Sequence, residues 1–182
     1  MGGVGAPARS EARPSSERSS GRVFQLHRKS KVNGEHGLPK PSVPEVRIGT
    51  GGVEGDFNRF RHEERHDDPG MAVLLLPRET LEELNREGWP VAPGDLGENV
   101  TTEGIGYAHF APGTHWKVGE VELEVVKPCD PCDNLYLLPY VGTERGPAFL
   151  KTMLHRRGWF ARVVRAGRIR AHDAIEPMDP SP

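Results

Sequence analysis

The chain has 182 residues, which suits one domain that is long enough to bury a sizeable core. Its 35% hydrophobic content is low, and its 22 glycines and 17 prolines imply many turns and short elements, which favours a β-rich domain over a helical bundle. The formal net charge of −2 excludes a global attraction to nucleic acid or to anionic membranes, and no apolar run approaches the roughly 18 residues that a membrane helix needs.

Both ends of the chain are predicted to lie outside the ordered domain. Residues 1–21 predict a disordered tail, because Gly, Ser, Pro and Arg dominate and few apolar groups offset the entropy of ordering. We expect the domain itself over residues 22–177, followed by a short tail at residues 178–182. Two cysteines and the lack of a secretory leader pattern predict a reducing, cytoplasmic location with free thiols.

Strands and turns alternate along the predicted domain. Two short helices are expected, at residues 78–87 and 146–157, each ended by a glycine. Gly119-Glu120 and Ala166-Gly167 each predict the turn of a hairpin. The extended runs, in chain order, cover residues 23–26, 43–48, 71–76, 98–102, 114–118, 121–126, 160–164 and 168–170. These elements predict a mainly β fold, a closed or half-closed barrel with two short helices on its rim.

The two cysteines stand three positions apart in Lys127–Leu135, KPCDPCDNL, directly after a strand-like run. A thiolate is both a strong nucleophile and a soft metal ligand, and a rigid turn at the end of a strand aims it at a bound partner. The alternative is a pair of buried thiols or a disulfide without further function. A thioredoxin-like role is not favoured, because the residues after Cys132 lack a helical pattern.

The segment His62–His66, HEERH, matches the zinc-peptidase pattern HExxH. That pattern works when one helix holds both histidines on one face. Residues 67–70, DDPG, break any helix directly after the second histidine. We therefore interpret both histidines as loop residues or as lining of another site.

Three blocks of sequence together resemble the MOSC domains, named for the C-terminal part of molybdenum-cofactor sulfurases. The blocks are Gly94–Thr102, Gly119–Val126 and Pro128–Leu135, in the order and spacing of that family. The resemblance covers about residues 22–177 and suggests a stand-alone member of bacterial type. The family's pattern Pro-Arg-x-Pro-Cys-x-Lys-Leu places its reactive cysteine on Cys132.

Two positions depart from this pattern, since Cys129 replaces its arginine and Asn134 its lysine. The change removes two cations from beside the reactive cysteine. It also creates a pair of thiols that could resolve a persulfide or a sulfenic acid on Cys132 as an internal disulfide.

The resemblance implies a barrel related to that of pyruvate kinase and one of two roles for the cysteine. In the first, the thiolate ligates the molybdenum of a pterin cofactor in an oxidoreductase that reduces N-hydroxylated compounds. In the second, the protein is a sulfur carrier whose cysteine delivers persulfide sulfur to a metal centre. A non-catalytic cofactor-binding module is a third alternative. The implied partners are the cofactor, a small-molecule substrate, and a separate electron-donor or sulfur-donor protein.

The site residues follow from the same resemblance. Cys132 is expected to be the catalytic residue and the molybdenum ligand, with Cys129 in a secondary catalytic role. The arginine-rich segment at residues 156–170 could hold the cofactor's phosphate, or could be a solvated barrel face. The residues expected to bind the cofactor are Asp56, His66, Asp95, Glu98, Asn99, Thr101, Asn134 and Arg162. Four of them are expected on a polar pocket rim, with turn and strand-end hydrogen bonding as the alternative: Asp95, Glu98, Asn99 and Thr101.

Overall fold

The computed structural model describes residues 19–179, so most of the predicted N-terminal tail and residues 180–182 lie outside the described part. Within it the strands are β1 Gly21–His27, β2 Ser42–Val43, β3 Glu45–Gly49, β4 Gly52–Val53, β5 Val73–Pro77, β6 Val100–Glu103, β7 His115–Val118, β8 Val121–Pro128, β9 Trp159–Arg165, β10 Gly167–Arg170 and β11 Ala174–Met178. The α-helices are α1 Arg59–Glu64, α2 Arg78–Arg86 and α3 Gly142–Thr152. Short 3₁₀ turns cover Pro69–Met71, Tyr107–His109 and Asp133–Leu137.

Seven strands form a closed barrel, which confirms the predicted fold class. They follow one another in the order β11, β7, β8, β9, β5, β6 and β1, and the pairing of Gly21 with Ile175 returns β1 to β11. The β5–β6 pair is parallel, whereas the other barrel pairs are antiparallel. Closure leaves no free sheet edge among these seven strands.

Strand sequences follow the environment of each strand. In β8 the residues Val121, Leu123 and Val125 point into the barrel, while Glu122 and Glu124 alternate with them on the outer face. Every residue of β5 is buried, because the barrel core covers one face and further side chains cover the other. None of the described helices is both long and apolar enough to cross a membrane.

A second apolar layer lies outside the barrel and supports the segment that follows the cysteines. Leu81 and Leu84 of α2 and Phe149 of α3 share this cluster with Leu135 of the 3₁₀ turn. The rings of Trp89 and Phe149 stack with their centroids 4.7 Å apart. This layer fixes the turn after Cys132 against a packed surface.

Two predicted elements differ from the structure. The expected strand at residues 43–48 is split into β2 and β3 at Pro44, because proline has no N–H for the sheet ladder. The helix expected at residues 146–157 spans Gly142–Thr152, and His155 adopts a left-handed φ of 61°. Arg156 and Arg157 therefore lie in a turn outside α3, not in the helix.

The predicted hairpin around Ala166-Gly167 is wrong. β9 pairs with β8 along its length and with β5 over its first three residues, and it has no register with β10. β10 pairs instead with β3 in a separate three-stranded sheet. The structure also contains a third helix, α1, within a charged stretch for which the sequence predicts no helix.

We predict that Gly158→Ala destabilises the protein more than Gly88→Ala does. Both glycines have left-handed φ values, 106° and 91°, but a Cβ at Gly158 would overlap the carbonyl oxygen of Leu75, whereas a Cβ at Gly88 meets nothing within 4 Å. The extra loss in the free energy of unfolding should be about 1–3 kcal/mol, measured by urea unfolding. Equal losses in the two variants would contradict this account of Gly158.

Candidate functional site

A cavity of about 380 Å³ opens beside the segment that holds the two cysteines. Its walls come from the end of β8, the start of β9, the start of β5, the loop before β2 and the region of α1. The described residues that line it are Gly37, Leu38, Lys40, Phe57, Asn58, Arg59, Phe60, Arg65, Met71, Leu74, Leu96, Gly97, Lys127, Pro128, Cys129, Asp130, Pro131, Cys132, Asn134, Leu137, Arg157 and Phe160. Both cysteines therefore face one concave surface of the size typical of small-molecule sites.

The guanidinium of Arg157 lies against the sulfur of Cys132. Its Nη1 donates to the Asp130 carbonyl oxygen at 2.8 Å and to Cys132 Sγ at 3.1 Å. Arg157 is only 8% exposed, and its Nε has no partner among the described residues. A buried positive charge at this distance stabilises negative charge on a sulfur. The fold thus supplies a cation beside Cys132 from a distant segment, although both neighbouring cations of the family pattern are absent.

Cys129 has a different environment from Cys132. It is 4% exposed and packs in a small apolar cluster with Met71, Leu74 and Phe160. This burial raises the pKa of the Cys129 thiol to about 11, against the effect of Arg157. Cys132 is partly exposed. The two free thiols are therefore unequal, with Cys129 protonated at neutral pH and Cys132 open to the cavity.

A buried ion pair joins the cavity to the strands behind it. Lys40, 5% exposed, places Nζ 2.6 Å from Asp56 Oδ2. The same Asp56 oxygen accepts from Asn99 Nδ2 at 2.9 Å, and its other oxygen accepts from the Lys29 backbone N–H. Asn99 Oδ1 accepts from the Leu74 N–H at 3.1 Å. Lys40 lines the cavity, so its charge is held in place by hydrogen bonds that reach β5.

A second polar group lies in the interior near this ion pair. Thr101 Oγ1 donates to Glu98 Oε1 at 3.0 Å and lies 3.1 Å from His27 Nε2. Burial lowers the pKa of His27 to about 4 and raises the pKa of Glu98 above its usual range. Gly94 donates its N–H to Glu98, and a Cβ there would overlap the Lys40 carbonyl oxygen. Burial therefore favours the neutral form of both groups, which belong to the framework behind the cavity.

Several of the predicted cofactor-binding residues do not line the cavity. Glu98, Asn99 and Thr101 are buried in the hydrogen-bond networks behind its wall and are not among the residues that line it. Asp95 accepts from the Tyr140 hydroxyl at 2.8 Å, away from the lining. Asp56 reaches the cavity only through Lys40.

The remaining predicted residues are divided between the cavity and the surface. Asn134 lines the cavity, where its Oδ1 accepts from Arg59 Nη2 at 3.2 Å. Arg162 lies on the outer barrel face and pairs with Glu124 at 2.6 Å. His66 is exposed and does not line the cavity. The structure thus brings together Cys129, Cys132 and Asn134.

Most of the arginine-rich segment forms a solvated outer surface. Arg162, Arg165 and Arg170 pair with outward glutamates of β8 and β3. Arg157 alone of the six arginines singled out at residues 156–170 lines the cavity. The sequence did not distinguish it from its neighbours, because its role depends on the pairing of β8 with β9. Lys40 and Arg59 were likewise missed, since both come from loops or helices distant in sequence from the cysteines.

The HEERH segment does not have the geometry of a zinc-peptidase helix. α1 ends at Glu64, and His66 has a left-handed φ of 48°, so the two histidines do not share a helical face. His62 Nδ1 lies 3.1 Å from Asp67 Oδ1 at the surface. Asp68 caps the following turn by accepting from the Gly70 N–H. The motif therefore runs from the last turn of α1 into the turn that follows, so His62 is helical and not a loop residue, and the helix ends before the break expected at residues 67–70.

Comparisons with known proteins assign the chain to a family. The sequence profile of the MOSC domain matches residues 62–176, so this chain belongs to the MOSC domain family. Protein YiiM of Escherichia coli (strain K12) is 30% identical over 131 residues, which cover 69% of this chain and 55% of YiiM. This chain thus aligns with little more than half of that relative.

Solved structures agree on the fold. The YuaD protein from Bacillus subtilis superposes with a TM-score of 0.71 and 18% identity, covering 88% of this chain and 97% of YuaD. The crystal structure of YiiM from Escherichia coli gives a TM-score of 0.60 and 23% identity, covering 90% of this chain and 71% of that one. At these identities the likeness concerns the fold alone.

We predict that His27 makes the protein less stable as the pH falls from about 6.5 to about 4. The folded pKa of about 4 lies below the ordinary value of 6.5, so the unfolded chain binds the proton first and stability is lost across this window. The loss should be on the order of 3 kcal/mol. His27→Gln should flatten the pH dependence of urea unfolding, whereas the exposed His36→Gln should leave it unchanged. Parallel curves for His27→Gln and the unmodified protein would refute the assignment.

Proposed function

We propose that this protein binds a molybdenum–pterin cofactor in the cavity, with the Cys132 thiolate as a molybdenum ligand, and reduces N-hydroxylated compounds. The MOSC family is associated with binding of the molybdenum cofactor. The observation that carries the proposal is the placement of Cys132, partly exposed in a cavity of about 380 Å³ with Arg157 at 3.1 Å from its sulfur. A soft thiolate suits a soft metal centre.

The residues of the cavity fit such a group. Cys132 is the accessible thiol, while Cys129 is buried and protonated and so leaves a single sulfur as the ligand. Arg157 has an unpartnered Nε, and Lys40 presents a fixed ammonium group. These cations complement a group that carries negative charge on its phosphate oxygens and its thiolate sulfurs. Met71, Leu74 and Phe160 provide the apolar part of the wall.

When bound, the cofactor supplies the two-electron reduction. Conversion of an N-hydroxylamine to the amine also takes up two protons and releases water, so the cavity must deliver protons to the leaving oxygen. Lys40 has three donors and is held by Asp56, so it can hold a hydrogen bond to that oxygen. Arg157 orients the Cys132 sulfur by donating a hydrogen bond to it. With two cysteines in the chain and no dinucleotide fingerprint, we infer a separate electron-donor protein.

We predict that Cys132→Ser abolishes molybdenum binding and that Cys129→Ser retains it. The protein should be produced in cells that make the cofactor and analysed for metal by mass spectrometry and for pterin by fluorescence. The unmodified protein should contain nearly equimolar molybdenum and reduce an N-hydroxylated base with an artificial electron donor. Equal loss of metal in both variants would indicate a site shared by the two thiols. Full retention in Cys132→Ser would exclude Cys132 as the ligand.

A second candidate function is that of a sulfur carrier, favoured by the presence of two thiols in one cavity. A persulfide on Cys132 would lie beside the Arg157 guanidinium. Loss of the Cys129 proton and attack of the resulting thiolate on the inner sulfur would release hydrosulfide and leave a Cys129–Cys132 disulfide, so that atoms and electrons balance. The sulfur would come from a separate donor protein.

For the carrier we predict cysteine-bound sulfur that cyanide releases as thiocyanate, with little molybdenum. Cys132→Ser should carry none of this sulfur. Cys129→Ser should hold it longer, because the resolving thiol is absent. A protein that holds neither metal nor releasable sulfur, yet binds the pterin, would be a non-catalytic cofactor-binding module, which contradicts both catalytic proposals.

A further inference from the structure

The positive charge around the cavity exceeds what its acids neutralise. Asp130 is the one carboxylate among the described lining residues, against five cationic side chains. Two of these cations have partners just behind the wall: Lys40 contacts Asp56 at 2.6 Å and Lys127 contacts Asp68 at 2.9 Å. The guanidinium groups left without a close carboxylate are those of Arg59, Arg65 and Arg157.

Two of these guanidinium groups lie at the cavity mouth, and we call Arg59 and Arg65 the rim arginines. Arg59 approaches Glu63 only to 4.0 Å and hydrogen bonds to Asn134, three residues before Leu137. Arg65 has no carboxylate oxygen within 4.0 Å in the range 19–179. Planar guanidinium groups hold phosphate oxygens in pairs of hydrogen bonds. The rim therefore suits a phosphate, separately from Arg157, which is occupied by Cys132 in the interior.

The same mouth exposes apolar surface. Phe60 is 44% exposed and Leu137 is 41% exposed, and both line the cavity. They are two of the five large apolar side chains that are exposed in the described part of the chain. The guanidinium of Arg65 lies 5.0 Å from the centroid of the Phe60 ring, so aromatic surface and positive charge are presented together.

The packing of α1 does not explain these side chains. α1 buries none of its own residues. Arg61 fixes it by donating to the carbonyl oxygens of Gly51, Asp68 and Asp67 at 2.6–3.0 Å, and Asn58 accepts from the Arg61 N–H as the cap. Phe60 and Arg59 on α1, and Arg65 at its C-terminal end, are thus exposed on an element that Arg61 anchors. Side chains held in this way are available for a ligand.

We propose that the cavity mouth binds a nucleoside monophosphate, with Phe60 and Leu137 against the planar base and the rim arginines on the phosphate. This inference rests on the proposed function and deepens it, since it makes the substrate an N-hydroxylated nucleotide instead of the free base. An aromatic face adds stacking energy for any base, and the guanidinium pair adds the selection for phosphate. The reacting nitrogen on the base then points inward, toward Cys132.

The test uses adenosine 5′-monophosphate, which carries no N–O bond and cannot be reduced, and compares its binding with that of adenosine by calorimetry. The purified protein should bind the monophosphate at least roughly tenfold more tightly, equivalent to about 1.4 kcal/mol. Arg65→Gln should abolish this difference, and Phe60→Ala should weaken both ligands alike. Arg86→Gln, which removes an exposed arginine from α2 outside the cavity, is the matched control and should change neither.

Three results would overturn the inference. The first is equal affinity for the monophosphate and adenosine. The second is an unchanged preference in Arg65→Gln. The third is loss of pterin and molybdenum from Arg65→Gln, which would assign the rim arginines to the cofactor's phosphate. Because the probe is not reduced, its binding is measurable even in a protein that holds no molybdenum, so failure of the proposed function is distinguished from failure of the nucleotide site.

Discussion

The candidate site depends on one backbone hydrogen bond, from the Cys129 N–H to the Gly158 carbonyl oxygen, 2.9 Å long. It continues the β8–β9 ladder one residue beyond the pairing of Pro128 with Trp159. The cysteine segment and the residue before β9 are thereby held side by side, and Arg157 reaches Cys132 across 25 residues of sequence. The charge beside the sulfur is set by sheet pairing, so it does not require a cation next to the cysteine in sequence.

The polar interior behind the cavity has a structural role of its own. Asn99 satisfies the Leu74 N–H of β5 and donates to Asp56, so one amide connects a barrel strand with the ion pair at the cavity wall. Buried polar groups that are fully hydrogen bonded fix one arrangement of the strands, whereas a slipped register would leave them unpaired. Asp56 and Asn99 were predicted to contact the cofactor. In the structure their hydrogen bonds position Lys40, which lines the cavity.

Local sequence patterns predicted the elements that are determined by neighbours in sequence. Alternating residues predicted the β7–β8 hairpin, and the spacing of apolar residues predicted α2, because both patterns depend on neighbours in sequence. The partner of β10 was mispredicted, since a turn pattern between two extended runs does not reveal that β10 pairs with the distant strand β3. Arg157 could not be separated from Arg156 for the same reason. Which of two adjacent arginines meets the thiol depends on strand register in three dimensions.

The pairing of Gly21 with Ile175 has a consequence for synthesis of the chain. The barrel closes only when β11 is available to pair with β1 and β7. Nearly the whole domain must therefore be synthesised before β1 can pair with β11. Until then the growing chain exposes unpaired strand edges, which are sites for association with other chains. We therefore expect the barrel to close only after β11 has been synthesised, and the edge of β1 needs protection from other chains until then.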